Sequence, residues 1–303
     1  MRYISILLII TVFIACNTSQ PNVKNAGSAS GTDQKIDSQR IAQIKISTTV
    51  DFRQVLDTLD SGDLMSLEVA GILLKNCAAD SLTKDSLFLI FNDFMNHLSG
   101  SYLENNENIT TQLNNSPSLQ NILAWKRMFA DHGLLLYSVE GSYFLEPRSS
   151  FLLEKYGFML TRGYREFLAI ESTDQLKPFA SEGRMLIPTD SLALRIVIWE
   201  KFITQFPGFL LIKSAKDRYA QYLGAFLAGM DHSRVFDPET SVLSDSARTN
   251  LEMFITKNPQ THSAETVKSY LELLRSANYN YTEKVDSFLI QKVFSEEVAD
   301  QIN

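Results

Sequence analysis

The octapeptide EKFITQFP, residues 200–207, recurs 52 residues further along the chain as EMFITKNP, residues 252–259. In both copies a proline follows the apolar residues and ends the helix, because proline has no N–H to donate. A second amphipathic segment follows each proline. After the second copy, apolar residues at i, i+3, i+4 and i+7 form one helix face: Val267, Tyr270, Leu271 and Leu274. Each copy therefore predicts a helix hairpin that buries its apolar face against a neighbour.

These hairpins resemble the helix-turn-helix units of tetratricopeptide-like solenoids. The Trp, Gly and Tyr positions typical of that family are missing, and the 52-residue period is longer than the usual one. Two copies are also fewer than an array of repeats needs. The sequence therefore leaves two architectures open: a short stack of helix hairpins and an irregular helical bundle.

Helical periodicity dominates the remaining sequence, so the predicted fold class is mainly α. The predicted helices cover residues 51–59, 64–77, 81–98, 118–130, 149–156, 161–170, 174–182, 190–205, 208–229, 244–257, 262–277 and 282–301. The Asn-rich segment 104–117 is expected to be a loop or a short exposed helix. One β-hairpin is predicted at residues 133–147, where two β-prone runs flank Glu140-Gly141. It separates an N-terminal helical half, residues 36–132, from a C-terminal half, residues 148–303, and we expect it to pack on helices.

An apolar run, residues 4–15, opens the chain and ends at Cys16. It is shorter than a membrane span, which needs about 20 apolar residues, so residues 1–15 are predicted to be a signal peptide. The sequence Phe13-Ile14-Ala15-Cys16 resembles the lipobox of bacterial lipoproteins, with Phe13 at the place of the usual Leu. The resemblance implies cleavage before Cys16, a diacylglycerol on its thiol and an acyl chain such as palmitate on the new amino group. An ordinary cleaved signal peptide and an uncleaved anchor are the alternatives.

A polar segment, residues 16–35, follows the lipobox and is predicted to be a flexible tether, since it has almost nothing to bury. The lipobox, the tether and the helix hairpins together resemble uncharacterised helical lipoproteins of Bacteroidota, which implies no known activity. In that group an acidic stretch after the cysteine often directs export to the cell surface, but the first acidic residue here is Asp33. Asn17 also differs from the Asp that retains many lipoproteins in the inner membrane. We therefore expect an outer-membrane location on the periplasmic face rather than the cell surface.

The charge and the cysteine content exclude several classes of function. Removal of residues 1–15 takes away the single charge of Arg2 and changes the net charge from −7 to −8. An acidic surface disfavours nucleic-acid binding, and the membrane is then reached through the N-terminal lipid alone. If Cys16 is lipidated, Cys77 is the other cysteine of the chain and no internal disulfide can form. Cys77 is predicted to be a buried small hydrophobe.

Catalytic signatures are scarce. The sequence has no G-x-S-x-G, P-loop, G-x-G-x-x-G or H-E-x-x-H motif, and no histidine pair has the spacing of metal ligands, so neither a metal nor another cofactor is predicted. The dipeptides Asp131-His132 and Asp231-His232 are the candidates for an enzymatic site, in which Asp would orient His. Their alternative role is at helix C-termini, which favour His through the helix dipole.

Aromatic residues around the hairpin form the candidate binding site. We selected four of them as possible contacts for a glycan or a peptide: Tyr137, Tyr143, Phe144 and Tyr164. Their alternative role is to pack the hairpin on the helices. The leading hypothesis is a lipid-anchored, non-enzymatic interaction or scaffold module for an envelope protein, with a ligand-binding uptake accessory as the second hypothesis and an enzyme as the third.

Overall fold

A computed structural model of the protein describes residue 46, residues 48–115 and residues 118–294. The predicted signal peptide, Cys16 and the predicted tether lie outside these residues. Within them the chain is mainly α-helical, as the sequence predicts. The α-helices are α1 (Thr49–Leu56), α2 (Met65–Asn76), α3 (Ser81–Asn105), α4 (Glu107–Asn114), α5 (Leu119–Asp131), α6 (Ser149–Tyr156), α7 (Arg162–Leu176), α8 (Thr189–Gln205), α9 (Ile212–Ala228), α10 (Asp245–Lys257), α11 (His262–Ser276) and α12 (Glu283–Leu289). A 3-10 turn, Gly157–Met159, and a π-helical turn, Ile290–Phe294, complete the helical elements of the described residues.

The longest helix, α3, continues past the Ser99-Gly100 pair at which the sequence predicts its end. The hydroxyls of Ser99 and Ser101 donate back to carbonyl oxygens of the preceding turn, each at 3.0 Å, so they stay inside the helix. Beyond the glycine, Tyr102 and Leu103 are buried in the core. Burial of these two side chains outweighs the cost of a helical glycine, about 1 kcal/mol.

The predicted β-hairpin is present. Strand β1 (Leu134–Val139) pairs with β2 (Ser142–Pro147) in an antiparallel register that sets Leu136 opposite Leu145. Glu140 and Gly141 both have positive φ, at 50° and 80°, which matches the two-residue turn that favours glycine at its second position. One face of the hairpin packs on α3 and α5, as expected for a structure that is marginal alone.

Two further strand pairs are absent from the sequence prediction. Strand β3 (Ala180–Ser181) pairs with β4 (Arg184–Met185), and β5 (Gly229–Met230) pairs with β6 (Ser233–Arg234). Their turns meet, because the N–H of His232 donates to the carbonyl oxygen of Gly183 at 2.9 Å. The helix predicted over residues 174–182 is wrong, since α7 runs without a break from Arg162 to Leu176 and the chain then turns into β3.

Helix α7 joins the β-hairpin to helices α8 and α9. The buried carboxylate of Asp174 accepts hydrogen bonds from Trp199 Nε1 of α8 at 3.0 Å and from the Tyr222 hydroxyl of α9 at 2.6 Å. Arg195 Nε of α8 lies 3.1 Å from its other oxygen. On α7 the next residue, Gln175, donates to Glu146 of β2 at 3.2 Å. These bonds fix α7 between the β-hairpin and helices α8 and α9.

Both helix hairpins predicted from the octapeptides are present, α8 with α9 and α10 with α11, and they pack against each other. The first helices end at equivalent positions: Phe206 and Asn258, which are 52 residues apart, are their C-cap residues. A pure translation would set Lys257 beside Gln205. Instead Lys257 Nζ lies 3.7 Å from Asp190 Oδ1, in the first turn of α8. The start of α8 therefore lies beside the end of α10, and the two related hairpins pack against each other within a mainly α-helical fold.

Candidate functional site

A surface groove lies between α8 and α10, the first helices of the two hairpins. Each helix lines it with one face at i, i+3, i+4 and i+7 spacing, and α9 adds one buried ring. The lining includes Asp190, Ala193, Leu194 and Val197 of α8, Asn250, Met253, Phe254 and Lys257 of α10, and Phe226 of α9. We call this surface the repeat groove.

The repeat groove is open, and polar side chains such as Asn250 and Lys257 line it beside apolar ones such as Leu194 and Met253. Its volume is about 280 Å³, just under the lower end of about 300 Å³ typical of small-molecule pockets. Leu194 is 60% exposed and Met253 37% exposed, although both are large apolar side chains. A second depression of about 230 Å³ shares Met253 and Lys257 and extends the surface along α10.

One ion pair crosses the repeat groove at its end. Asp190 and Lys257 are 77% and 61% exposed, and their charged atoms are 3.7 Å apart. An exposed pair of this kind contributes at most about 1 kcal/mol. Asp190 and Lys257 can therefore give up this ion pair and pair with charged groups of a partner protein, because little free energy is lost when it breaks.

A buried carboxylate fixes the two hairpins that form the repeat groove. Glu200 of α8 accepts the N–H of His262 at 2.6 Å and the N–H of Ser263 at 2.9 Å, both in the first turn of α11. These N–H groups have no partner inside their own helix, and the helix dipole favours a negative charge there. Glu200 therefore ties α8, one wall of the repeat groove, to the second hairpin.

The four predicted binding residues do not share one surface. Tyr137 and Phe144 are paired across the hairpin, their rings stack with centroids 5.7 Å apart, and both are exposed. Tyr143 points to the opposite face and is half-buried against the core. Tyr164 is 1% exposed and packs edge-on against Phe88 at 5.0 Å, so a ligand cannot reach it.

The exposed side of the hairpin carries one carboxylate beside its aromatic pair. We call the side formed by Tyr137, Val139, Phe144 and Glu146 the hairpin face. Burial and then repulsion from Glu171 of α7 raise the pKa of Glu146. Burial, and then the charge of Glu146, raise the pKa of Tyr137. The hairpin face therefore combines aromatic rings with an acidic group that holds a proton more readily than usual.

Glu171 has a structural partner. Arg218 Nε of α9 lies 3.5 Å from its carboxylate, and burial is the main cause of the raised pKa of Glu171. Arg218 also lowers the pKa of Glu146 by its charge, against the larger effect of burial. Through Arg218, the carboxyl groups of Glu146 and Glu171 therefore both interact with α9. They do not form an isolated acid–base pair.

The two Asp-His dipeptides have separate neighbours. His132 is the C-cap residue of α5, and its Nδ1 lies 3.7 Å from Glu68. His232 lies in the β5–β6 turn against Gly183. The described residues offer no group of three His, Cys, Asp or Glu side chains that could hold a metal ion. Cys77 is buried as predicted, and burial raises the pKa of its thiol, which disfavours the reactive thiolate.

The residues of the repeat groove are not among the site residues predicted from the sequence. Their helical spacing is visible in the sequence, and the repeated octapeptides mark α8 and α10 as related helices. Neither signal shows that these two faces meet, because the packing of the second hairpin on the first depends on contacts distant in sequence, such as those of Glu200 with His262 and Ser263. For Glu146, the sequence indicates only a place beside the hairpin and no role in binding.

Protein-family models, curated proteins and solved structures were compared with the chain, and none matches it. The helices described by the structure include none that is long and apolar enough to cross a membrane.

Proposed function

We propose that the protein is a lipid-anchored lipoprotein of the outer membrane that acts as a non-enzymatic interaction module. Cys16 would carry the lipid, residues 16–35 would serve as the tether, and the folded part would face the periplasm. The lipobox and the polar segment after it support this placement. Binding of a partner would then need no catalytic group.

The observation that carries the proposal is the exposure of Leu194 and Met253 on the two walls of the repeat groove. Each wall is one helix face, which is the geometry that receives the apolar side of a third helix. The occupant we propose is an amphipathic helix of an envelope protein. Charges at one end of that helix would replace the contact between Asp190 and Lys257.

The test is the substitution Leu194→Glu in the full-length protein. A charge at this exposed position should leave the free energy of unfolding within about 0.5 kcal/mol of the wild type, as for ordinary surface changes. It should abolish recovery of the partner after crosslinking in native membranes. Leu82→Glu, at an exposed leucine of α3, is the matched control and should leave recovery unchanged. Equal recovery with Leu194→Glu would contradict the use of the repeat groove.

The hairpin face supports a second candidate, a glycan or peptide site of an uptake accessory protein. The observation that favours this candidate is the exposed stack of Tyr137 and Phe144 beside the carboxylate of Glu146. Aromatic rings supply apolar contact to sugar or peptide groups, and the carboxylate supplies hydrogen-bond acceptors. Phe144→Ala should reduce binding on glycan and peptide arrays if this candidate holds, whereas Tyr143→Ala, on the opposite face, should not.

A further inference from the structure

Helix α5 presents one outward face that combines exposed leucines with two cations. The face is formed, at i, i+4, i+7 and i+8 spacing, by Leu119, Leu123, Lys126 and Arg127. Leu119 is 71% exposed and Leu123 is 44% exposed, although both are large apolar side chains. The two cations are exposed as well. We call the surface of these four residues the α5 face.

The packing of α5 on the core uses the other side of the helix. Phe129 is the buried residue of α5, and its ring packs edge-on against Tyr102 of α3 with centroids 5.8 Å apart. The half-buried ring of Trp125 stacks on Phe129 at a centroid distance of 6.1 Å. These contacts hold α5 in place, so the α5 face is not needed to attach the helix to the fold.

The charge of the α5 face is positive. Among the described residues, no carboxylate forms an ion pair with Lys126 or Arg127. The sequence has no acidic residue between Glu107 and Asp131. The net charge of −7 predicts a membrane contact through the N-terminal lipid alone, but net charge averages over all faces of the chain. The α5 face is locally cationic in an acidic protein.

We propose that the α5 face docks on an anionic phospholipid surface. A helix that lies in the headgroup region inserts its apolar side chains between the lipids, and basic side chains beside them contact the lipid phosphates. Leu119 and Leu123 would supply the apolar contact, and Lys126 and Arg127 the charge. A face with charges of one sign suits an extended surface of the opposite sign.

Docking of the α5 face rests on the lipid anchor of the proposed function. A chain of 29 residues separates Cys16 from Ile46, and it can span at most about 100 Å, so any face of the folded part can reach the bilayer. Because the lipid would already hold the chain at the membrane, docking would be an intramolecular step for which a weak surface suffices. Docking would fix the orientation of the folded part, which a lipid on a long segment does not.

The test measures whether position 123 enters the lipid. The full-length, lipidated protein is reconstituted in vesicles of phosphatidylcholine and phosphatidylglycerol. Leu123→Cys and, as the matched control on α8, Leu194→Cys are labelled with a fluorophore, since Cys16 is acylated and Cys77 is buried. A nitroxide on the lipid acyl chains should quench the label at position 123 and not the label at position 194.

Removal of the two cations should release the α5 face. Lys126→Gln with Arg127→Gln should lower the ratio of docked to undocked protein by about 25-fold, about fivefold for each charge. Lys268→Gln with Lys284→Gln removes the same charge from exposed positions of α11 and α12, and should change the ratio by less than about twofold. Vesicles of phosphatidylcholine alone should likewise reduce the quenching at position 123.

The outcomes separate the anchor from the docking. Protein that does not float with the vesicles would contradict both. Floated protein with equal quenching at positions 123 and 194 would overturn the docking and leave the anchor standing. Equal losses in the two double variants would show general charge attraction and overturn the α5 face. A protein adduct at position 123 in cells, without quenching in vesicles, would assign the face to a protein partner and overturn the proposal.

Discussion

Glu200 of α8 accepts two hydrogen bonds from Ser263, one from its backbone N–H at 2.9 Å and one from its hydroxyl. Both residues are buried, and 62 residues separate Glu200 from His262, whose N–H completes the contact. A carboxylate in the core is tolerated because it meets the positive end of the α11 dipole and several donors. The contact ties α8, one wall of the repeat groove, to the first turn of α11 in the second hairpin.

Glu200→Ala should lower the free energy of unfolding by about 2–4 kcal/mol, since it leaves buried N–H groups of α11 without an acceptor. Glu252→Ala is the matched control, because Glu252 holds the same place in the second octapeptide but is exposed and contacts Arg275. Loss of that exposed ion pair should cost less than about 1 kcal/mol. Urea unfolding of both variants checks this, and equal losses would contradict the role of Glu200.

The glutamates at the same place in the two octapeptides, Glu200 and Glu252, thus have different contacts. The sequence shows that each glutamate lies on a helix before a proline, which is enough to predict both hairpins. It cannot show that Glu200 meets a second hairpin that follows it, while Glu252 meets α11 of its own hairpin from the exposed side. Contacts between segments distant in sequence cause this difference between Glu200 and Glu252, and helical periodicity does not predict such contacts.

Tyr164→Phe should leave the protein as stable as the wild type or more stable. The hydroxyl of Tyr164 is buried and has no hydrogen-bond partner among the described residues, so its removal ends a desolvation cost of about 1–3 kcal/mol. Tyr222→Phe is the contrasting variant, because the Tyr222 hydroxyl donates to Asp174 at 2.6 Å. Its loss should cost about 1.5–3 kcal/mol, as for hydrogen bonds to charged groups. Thermal unfolding of the two variants measures the contrast, and a marked loss with Tyr164→Phe would be inconsistent with this contact pattern.

Glu146→Gln should stabilise the protein at neutral pH. The pKa of Glu146 is raised above its ordinary value of 4.5, so the native state holds this proton more tightly than the unfolded state. Its contribution to stability is therefore complete below about pH 4.5 and is lost as the pH rises through the folded pKa. The variant keeps the acceptor for Gln175 and removes the ionisation.

We expect Glu146→Gln to gain about 0.5 kcal/mol or more at pH 7, a change above the scatter of surface substitutions, and to gain nothing at pH 4. Glu140→Gln, in the exposed turn of the same hairpin, is the control and should change little at either pH. Denaturant unfolding over this pH range measures both variants. A gain for Glu146→Gln that is independent of pH would exclude ionisation as its cause.

Cys16→Ser should abolish lipid attachment if the lipobox is used. Cells grown with labelled palmitate should incorporate the label into the wild-type protein, and the variant should carry none. Cys77→Ser is the control, since the thiol of Cys77 is buried and accessible to no lipid-transfer enzyme in the folded protein. Labelled Cys16→Ser protein would reject the proposed anchor.

The hairpin and the helices were predictable because their signals are local. Glu140-Gly141 marks a tight turn, and apolar spacing marks each helix. The strand pairs β3–β4 and β5–β6 were not, since two-residue strands leave no alternation to detect and their turns are held by each other, through His232 and Gly183. The end of α3 was misplaced for a related reason: burial of Tyr102 overrides the local effect of Gly100. The repeat groove depends on the packing of α8 on α10. The spacing of apolar residues within each helix does not predict that packing.

Photo-crosslinking in cells tests the proposed interaction module most directly. A photoreactive amino acid would replace Leu194, Met253 or, as the control on α3, Leu82 in the full-length protein. The proposal predicts that Leu194 and Met253, on opposite walls of the repeat groove, form the same adduct with one envelope protein, and that Leu82 forms none. The adduct at Met253 should also disappear when Leu194→Glu is added. Adducts at all three positions, or at none of them, would contradict a docking role for the repeat groove.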